Sequence, residues 1–304
     1  MQRYNKLVVG ATPLRHARKL GETLGLPRLS LKLEGCNPTH THKDRAAARL
    51  VTDAAERGAV TVTTGTCGNY GVSLSWCAKQ VGLRCVVCVP EPFTGRCIGT
   101  MEENGAEVIR VGDTYEAAVA ASSGLARARG FYDANPTGDA GRLAQEAYSL
   151  IASEMCEALG GVPDSVWVSV GNGTTLAGVY DGFVRIGTLP ALCGVGSDGN
   201  TAAIASALSG KVVQLDPEAL VVTHTNEPLV NWDSFQAAEV VAAIRASRGI
   251  ACGVSDEEMV RCSEMLSRLE DVRSLPAAAA ALAGMIRFSH SLDASGRHVV
   301  LLTG

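Results

Sequence analysis

The stretch "VSVGNGTTLAGVYDGF", Val168 to Phe183, decides the class of the fold. It opens on an apolar run with the Val-rich composition of a buried strand. Gly171, Asn172, Gly173, Thr174 and Thr175 then make a small, polar loop, and an apolar-periodic helix follows. Small residues let a backbone approach an anion, and a helix start offers unpaired N–H groups and a favourable dipole. Phosphate is the natural guest, with the hydroxyls of Thr174 and Thr175 as added donors; a tight turn without a ligand is the alternative at this point. The pattern is neither G-x-G-x-x-G nor G-x-x-x-x-G-K-[ST], so it does not support a dinucleotide or a P-loop nucleotide.

The same alternation runs along the chain. Strands are expected in "RLSLKLEG", "VTVTTG", "RCVVCVP", "AEVIRVG", "SVWVSVG", "ALCGVGS" and "HVVLLTG". Helices are expected between them, as in "YGVSLSWCAKQVG", "TYEAAVAASSGLARARG" and "DAGRLAQEAYSLIASEMCEALG", and "AAAAALAG" at 277–284 also reads as a helix. Strand and helix in alternation predict an α/β fold with mainly parallel sheets. Ligands in such folds collect at the carboxyl ends of strands.

Two further loops stand at such positions. "TTGTCGNYGVSLSW", 63–76, is small and polar before a helix, and suits a carboxylate bound by backbone N–H groups, with Asn69 donating to an oxygen on a ring. "NPTHTHKDRAAARLV", 37–51, places Lys43 between a Pro/Thr/His turn and a helix start. A solvated surface lysine is the ordinary reading of such a residue. A reactive lysine, a phosphate cradle and a carboxylate loop together are the parts needed to hold pyridoxal 5'-phosphate and an amino acid, the lysine joining the cofactor aldehyde as a Schiff base.

Composition bounds the rest. The chain has 304 residues, of which 46% are hydrophobic and 19% charged, and its net charge of −4 gives no basic footprint for nucleic acid. No stretch has the length of a membrane span, and "MQRYNKLVVG" is too short and polar for a secretory signal. Ten cysteines scattered through strands and helices read as reduced thiols of a cytoplasmic protein. Cys85 and Cys88, the C-x-x-C pair, fall on a strand, where positions i and i+3 face opposite ways; no metal is expected.

Taken in order, the motifs resemble the fold type II pyridoxal-phosphate enzymes, and within them the threonine synthases most. "GATPL" (10–14) is similar to a G-x-T-P-L entry, and "EGCNPTHTHKDRAA" to E-x-x-N-P-T-G-S-F-K-D-R, with Lys43 on the Schiff-base lysine. "TCGNYG" is similar to the T-S-G-N-H-G substrate loop and "GNGTTLAGVYDGF" to the Gly-rich phosphate loop. "NEPLVNW" (226–232), "VSDEEMVRCSEML", "PAAAAALAGM" and "VVLLTG" follow in family order.

The resemblance implies two α/β domains with mainly parallel twisted sheets and the cofactor in the cleft between them. Residues 1–45 with 146–304 would form the large cofactor-binding domain, and 46–145 the small substrate-loop domain. Lys43 would carry pyridoxal 5'-phosphate and serve as the acid/base at the α-carbon. Asn69 would touch the phenolic oxygen, His42 and Gly171 to Thr175 would lie at the phosphate, and Thr303 would face the pyridine nitrogen. Thr66, Cys67, Gly68, Asn69, Tyr70 and His40 would meet the substrate.

The implied activity is that of an amino-acid biosynthetic lyase or synthase acting at a β or γ carbon. It would eliminate phosphate from a phosphorylated amino acid and then add water or another nucleophile. The alternatives are β-replacement of the cysteine or cysteate synthase kind, a serine or threonine dehydratase, and a cofactor-holding scaffold without turnover. A homodimer is expected by analogy. The chain departs from the family at His40-Thr41-His42 for Gly-Ser-Phe, Cys67 for Ser, Tyr70 for His, and Leu275 for Glu.

Overall fold

The computed structural model describes residues 7–66, 68–93, 95 and 97–304. In chain order the strands are β1 (Leu14–His16), β2 (Leu29–Leu33), β3 (Thr61–Gly65), β4 (Arg84–Val89), β5 (Glu107–Arg110), β6 (Tyr132–Asp133), β7 (Ser165–Ser169), β8 (Ala191–Ser197), β9 (Ala251–Val254) and β10 (His298–Leu302). They form two sheets, in the orders β1-β2-β10-β7-β8-β9 and β5-β4-β3-β6. Every pairing between these strands is parallel except β1 with β2.

The seven strands expected from the sequence are β2, β3, β4, β5, β7, β8 and β10. Strands β1, β6 and β9 are additional to them. Two of these have two or three residues, and β9 is built from the small stretch Ala-Cys-Gly-Val. None has the apolar run or clean alternation that marks a strand.

The chain divides into two compact units. One comprises 37–147 with residues 7–10; the other comprises Ala11–Cys36 and Tyr148–Gly304. The division expected from the resemblance places residues up to 45 with the larger part. Here residues 7–10, 37–45 and 146–147 go with the four-stranded unit. The physical reason is the helix Lys43–Glu56, which packs along the helix Asn69–Val81. Its Ala47, Leu50, Val51 and Ala54 share one core with Val62, Leu74 and Val87.

In that four-stranded unit, β3 is buried along its whole length and β4 along all but Arg84. Cys85 lies in the core, and burial pushes its thiol up to about 12 and that of Cys88 up to about 11.

In the six-stranded unit, the helix Pro276–Phe288 is the main cover of the sheet. Its residues Ala277 to Met285 are all buried. A Cβ on Gly284 would lie 2.4 Å from a Val195 methyl, so the helix is pressed onto β8. The run of alanines is the sequence's way of allowing that close approach. Ser169 pins the helix twice: its hydroxyl donates to the Ala278 carbonyl and accepts from the Ala281 N–H, both at 3.0 Å. The next helix before it, Asp256–Glu270, starts in a capping box formed by Ser255 and Glu258.

Candidate functional site

Lys43 is the first residue of the helix Lys43–Glu56, and the turn before it is held by short-range polar contacts. The Asn37 side chain accepts from the Gly10 N–H at 2.9 Å, and the Asn37 carbonyl accepts from the His40 N–H at 2.9 Å. Asp44 is fully buried and accepts from the Thr39 N–H at 2.7 Å and from the Thr39 hydroxyl. Thr39 Oγ1 also lies 3.0 Å from Ser73 Oγ, which ties the lysine turn to the helix Asn69–Val81. Lys43 itself is half-buried, and loss of hydration lowers its ammonium from 10.5 to about 8.

The two flanking histidines differ. His42 is buried, with Nδ1 3.4 Å from Thr41 Oγ1. His40 is exposed and takes a left-handed backbone, φ 62°, that only a minority of non-glycine residues adopt.

The second loop leaves the end of β3. The Thr66 N–H donates to the Cys88 carbonyl at 2.9 Å, and Thr66 Oγ1 accepts from the Gly68 N–H at 3.3 Å. Asn69 opens the following helix, and its Oδ1 accepts from Cys97 Sγ at 3.8 Å. The Tyr70 hydroxyl, expected toward the substrate, donates to the Ala134 carbonyl at 2.6 Å. Cys67 lies outside the described residues.

Beneath this loop is a residue that no sequence signal singles out. Asn135 is fully buried; its Oδ1 accepts from the Gly65 N–H at 2.8 Å and from Thr64 Oγ1 at 3.1 Å. Its Nδ2 donates to Ser122 Oγ and Asp133 Oδ1, both at 2.7 Å.

In the six-stranded unit, Gly171 to Gly173 connect β7 to the helix Thr174–Ile186. Gly173 has φ 89°, and a Cβ there would lie 2.2 Å from a Val240 methyl, so no other residue fits without movement. The first backbone bond of the helix runs from Ala177 N–H to Gly173 O at 2.9 Å, which leaves the earlier N–H groups of that turn directed toward the loop. Thr174 and Thr175 are buried.

The Thr174 hydroxyl donates to Gln236 Oε1 at 2.7 Å, and Ser234 Oγ donates to the Asn172 carbonyl at 2.9 Å. Gln236 and Ser234 are therefore a second layer behind the loop that sequence reading missed. Asn172 Oδ1 is buried and has no hydrogen-bond partner among the described residues.

Thr303 follows β10, which pairs with β7 so that Leu301 stands opposite Val168. Thr303 and the Gly171 loop thus lie at the same carboxyl edge of one sheet.

Residues 6–304 match the profile of the family described as "Pyridoxal-phosphate dependent enzyme". The threonine synthase of Methanocaldococcus jannaschii is 31% identical over 310 residues, covering 98% of this chain and 75% of that one. The threonine synthase of Methanosarcina acetivorans is 30% identical over 286 residues, covering 91% and 69%. Among solved structures, an L-serine ammonia-lyase from Rhizomucor miehei superposes with a TM-score of 0.83 at 24% identity, covering 97% of this chain and 93% of that one. The processed threonine deaminase isoform 2 of Solanum lycopersicum superposes with a TM-score of 0.83 at 19% identity, covering 98% and 84%. At these identities the two structures speak for the fold.

Proposed function

The chain belongs to the pyridoxal-phosphate dependent enzymes, and on that premise we propose that it is a threonine synthase-like lyase. It would expel phosphate from the β or γ carbon of a phosphorylated α-amino acid, then add water or another nucleophile. The observation that carries this reading is the likeness to a threonine synthase along 98% of the chain.

The residues present suit the cofactor. Lys43 is an amine that desolvation has brought to about 8, near enough to neutrality to supply its free base. Gly171 to Thr175 form an anion cradle at a helix start, with a glycine at φ 89° where a Cβ has no room. Asn172 Oδ1 marks a buried polar end awaiting a partner; rotation of the amide presents a donor instead.

On this reading Lys43 would hold the cofactor, Gly171 to Thr175 its phosphate, and Thr303 would face its ring nitrogen. The cofactor, when bound, supplies an electron sink for the α-carbon. Lys43 Nζ would take the α-proton and return it later. The Thr66–Tyr70 backbone at the start of the helix Asn69–Val81 would orient the substrate carboxylate. Asp44 acts on none of these groups directly: it fixes the turn on which Lys43 stands.

The test is product analysis with the holoenzyme. O-phosphohomoserine or O-phosphoserine should release phosphate. Serine and threonine should give 2-oxo acid at least about a hundredfold more slowly, because two or three charge-assisted contacts of about 1.5–3 kcal/mol each are lost. Faster reaction of the unphosphorylated amino acids would replace this reading with a dehydratase. O-acetylserine as the better substrate would replace it with β-replacement. The expected homodimer is tested by sedimentation.

A further inference from the structure

Strand β6 has two residues, and side chains take over where its ladder with β3 stops. The pairing sets Val62 opposite Tyr132 and Thr63 opposite Asp133, and the Ala134 N–H still donates to the Thr63 carbonyl at 2.8 Å. The next donor on this edge of β3 is the Gly65 N–H, and the next backbone acceptor is the Ala134 carbonyl. The two do not meet. Asn135 Oδ1 accepts the Gly65 N–H at 2.8 Å, and the Ala134 carbonyl accepts the Tyr70 hydroxyl at 2.6 Å.

The Asn135 amide is fixed on its other side as well. Its Nδ2 donates to Ser122 Oγ and Asp133 Oδ1, both at 2.7 Å, and to Ser123 Oγ at 3.0 Å. Asp133 Oδ1 also accepts the Asn135 N–H at 3.0 Å. Ser122 and Ser123 belong to the helix Tyr115–Arg129, and Gly65 lies directly on that helix: a Cβ there would stand 2.3 Å from the Val119 nitrogen. A fully buried amide with donor and acceptor both engaged cannot turn without leaving polar groups unpaired.

Two consecutive residues thus hold the two ends of one connection. Asn135 holds Gly65, the last residue of β3, and Ala134 holds Tyr70, the second residue of the helix Asn69–Val81. That helix opens on Gly68 with no side-chain cap, and its first backbone bond runs from the Gly71 N–H to the Gly68 carbonyl at 2.9 Å. The aim of the N–H groups before Gly71 therefore depends on how the ends are held. Donors that must converge on one carboxylate need a fixed backbone, and a run of small residues does not fix itself.

We propose that Asn135 and Tyr70 are positioning residues for the substrate's α-carboxylate. Asn135 fixes the start of the connection and the Tyr70 hydroxyl its finish, so both act through the backbone between them. This rests on reading the start of the helix Asn69–Val81 as the seat of the carboxylate.

The test measures binding to the holoenzyme by the absorbance of its cofactor. The probes are L-2-aminobutyrate and propylamine, which differ only in the α-carboxylate. Neither carries a phosphate or a leaving group, so the result is independent of which reaction follows. The variants are Tyr70→Phe, which keeps the ring and removes the hydroxyl, and Asn135→Ala. In each, affinity for L-2-aminobutyrate should fall by about tenfold, the worth of one charge-assisted contact, while that for propylamine stays as in wild type. Tyr70→Phe leaves the buried amide network intact and carries the test by itself if Asn135→Ala does not fold.

Equal losses for the two probes would assign both residues to stability alone. An unchanged preference for the carboxylate would show that the ends of the connection do not set its aim. Either result overturns the proposal and leaves the carboxylate seat standing. If wild type binds L-2-aminobutyrate no better than propylamine, the reading of the seat itself fails, and the proposal with it.

Discussion

Asp44 holds Thr39 at two points: one carboxylate oxygen accepts the Thr39 N–H at 2.7 Å and the other accepts the Thr39 hydroxyl. The residue after Lys43 thus reaches back over it and closes the turn. Asp44 is fully buried, so both contacts are shielded from competing water. Hydrogen bonds to a charged group contribute about 1.5–3 kcal/mol each. Asp44→Ala should lower stability to chemical denaturation by about 3–5 kcal/mol, and Thr39→Val, which removes the hydroxyl alone, by about half of that. Borohydride trapping of cofactor on Lys43 should weaken in the same order. Full trapping in Asp44→Ala at wild-type rate would show that the turn does not position the lysine.

The depressed Lys43 gives two pH signatures. On the proposed reading the free amine of Lys43 would be the nucleophile, so capture of pyridoxal phosphate should rise through pH 8 and level off above it, well below the range of an ordinary lysine. For stability the sign is set by proton counts. Between about pH 8 and 10.5 the unfolded chain holds the Lys43 proton and the folded one has lost it, so wild-type cofactor-free protein gains stability as pH rises through that window. Below pH 8 both states are protonated and the burial cost is complete. Lys43→Met should therefore be the more stable protein below pH 8, by on the order of 1 kcal/mol after allowance for partial exposure, with the gain fading by pH 10.5. A difference that does not change with pH would rule out a depressed lysine.

Gly173 tests the cradle. Its φ of 89°, and a Val240 methyl 2.2 Å from where a Cβ would stand, make two separate penalties for Gly173→Ala. The backbone penalty is about 1–3 kcal/mol. Adding Val240→Ala should remove the collision and leave the backbone penalty. Cofactor affinity should fall in the single variant and recover only in part in the double, measured by titration with pyridoxal phosphate. Full recovery would mean that the left-handed backbone is not required for binding.

What the sequence made legible here was local. The β7–loop–helix junction could be read because a Val-rich run, two glycines and an apolar helix follow one another without a gap. Lys43 could be read as the first residue of a helix because Asp44, Arg45 and three alanines follow it. The partners that complete these features are distant. Gln236 is 62 residues from Thr174, and Asn135 is 70 residues from Gly65. A buried amide in a loop looks like any other turn residue until the chain is folded. The same holds for Tyr70, whose hydroxyl goes to a backbone carbonyl 64 residues away. The division of the chain near residue 37 was hidden for a related reason: which unit a turn joins depends on the helix packed beside it, and Lys43–Glu56 packs on Asn69–Val81.

The start of β1 depends on a buried charge cluster that also has no local sequence signal. Lys32 on β2 is fully buried; its Nζ donates to the Thr12 carbonyl at 2.6 Å and pairs with Glu154 at 2.5 Å. Glu34, also fully buried, lies 3.9 Å from the same amine and accepts from the Thr12 hydroxyl at 2.6 Å. The second Glu154 oxygen accepts from the Ala11 N–H at 3.0 Å, where the backbone takes φ 49°. Lys32 stands between two carboxylates, so its removal takes a buried positive charge away from both. Lys32→Met should cost about 3–5 kcal/mol. Glu154→Gln should cost less, because the Glu154 side chain keeps 21% of its surface in water. The double variant should cost less than the sum of the two, since the glutamine carries no charge for the lysine to balance. Denaturant unfolding of the four proteins of this cycle measures the coupling directly. Strict additivity would show that the amine is held by the Thr12 carbonyl and Glu34 alone.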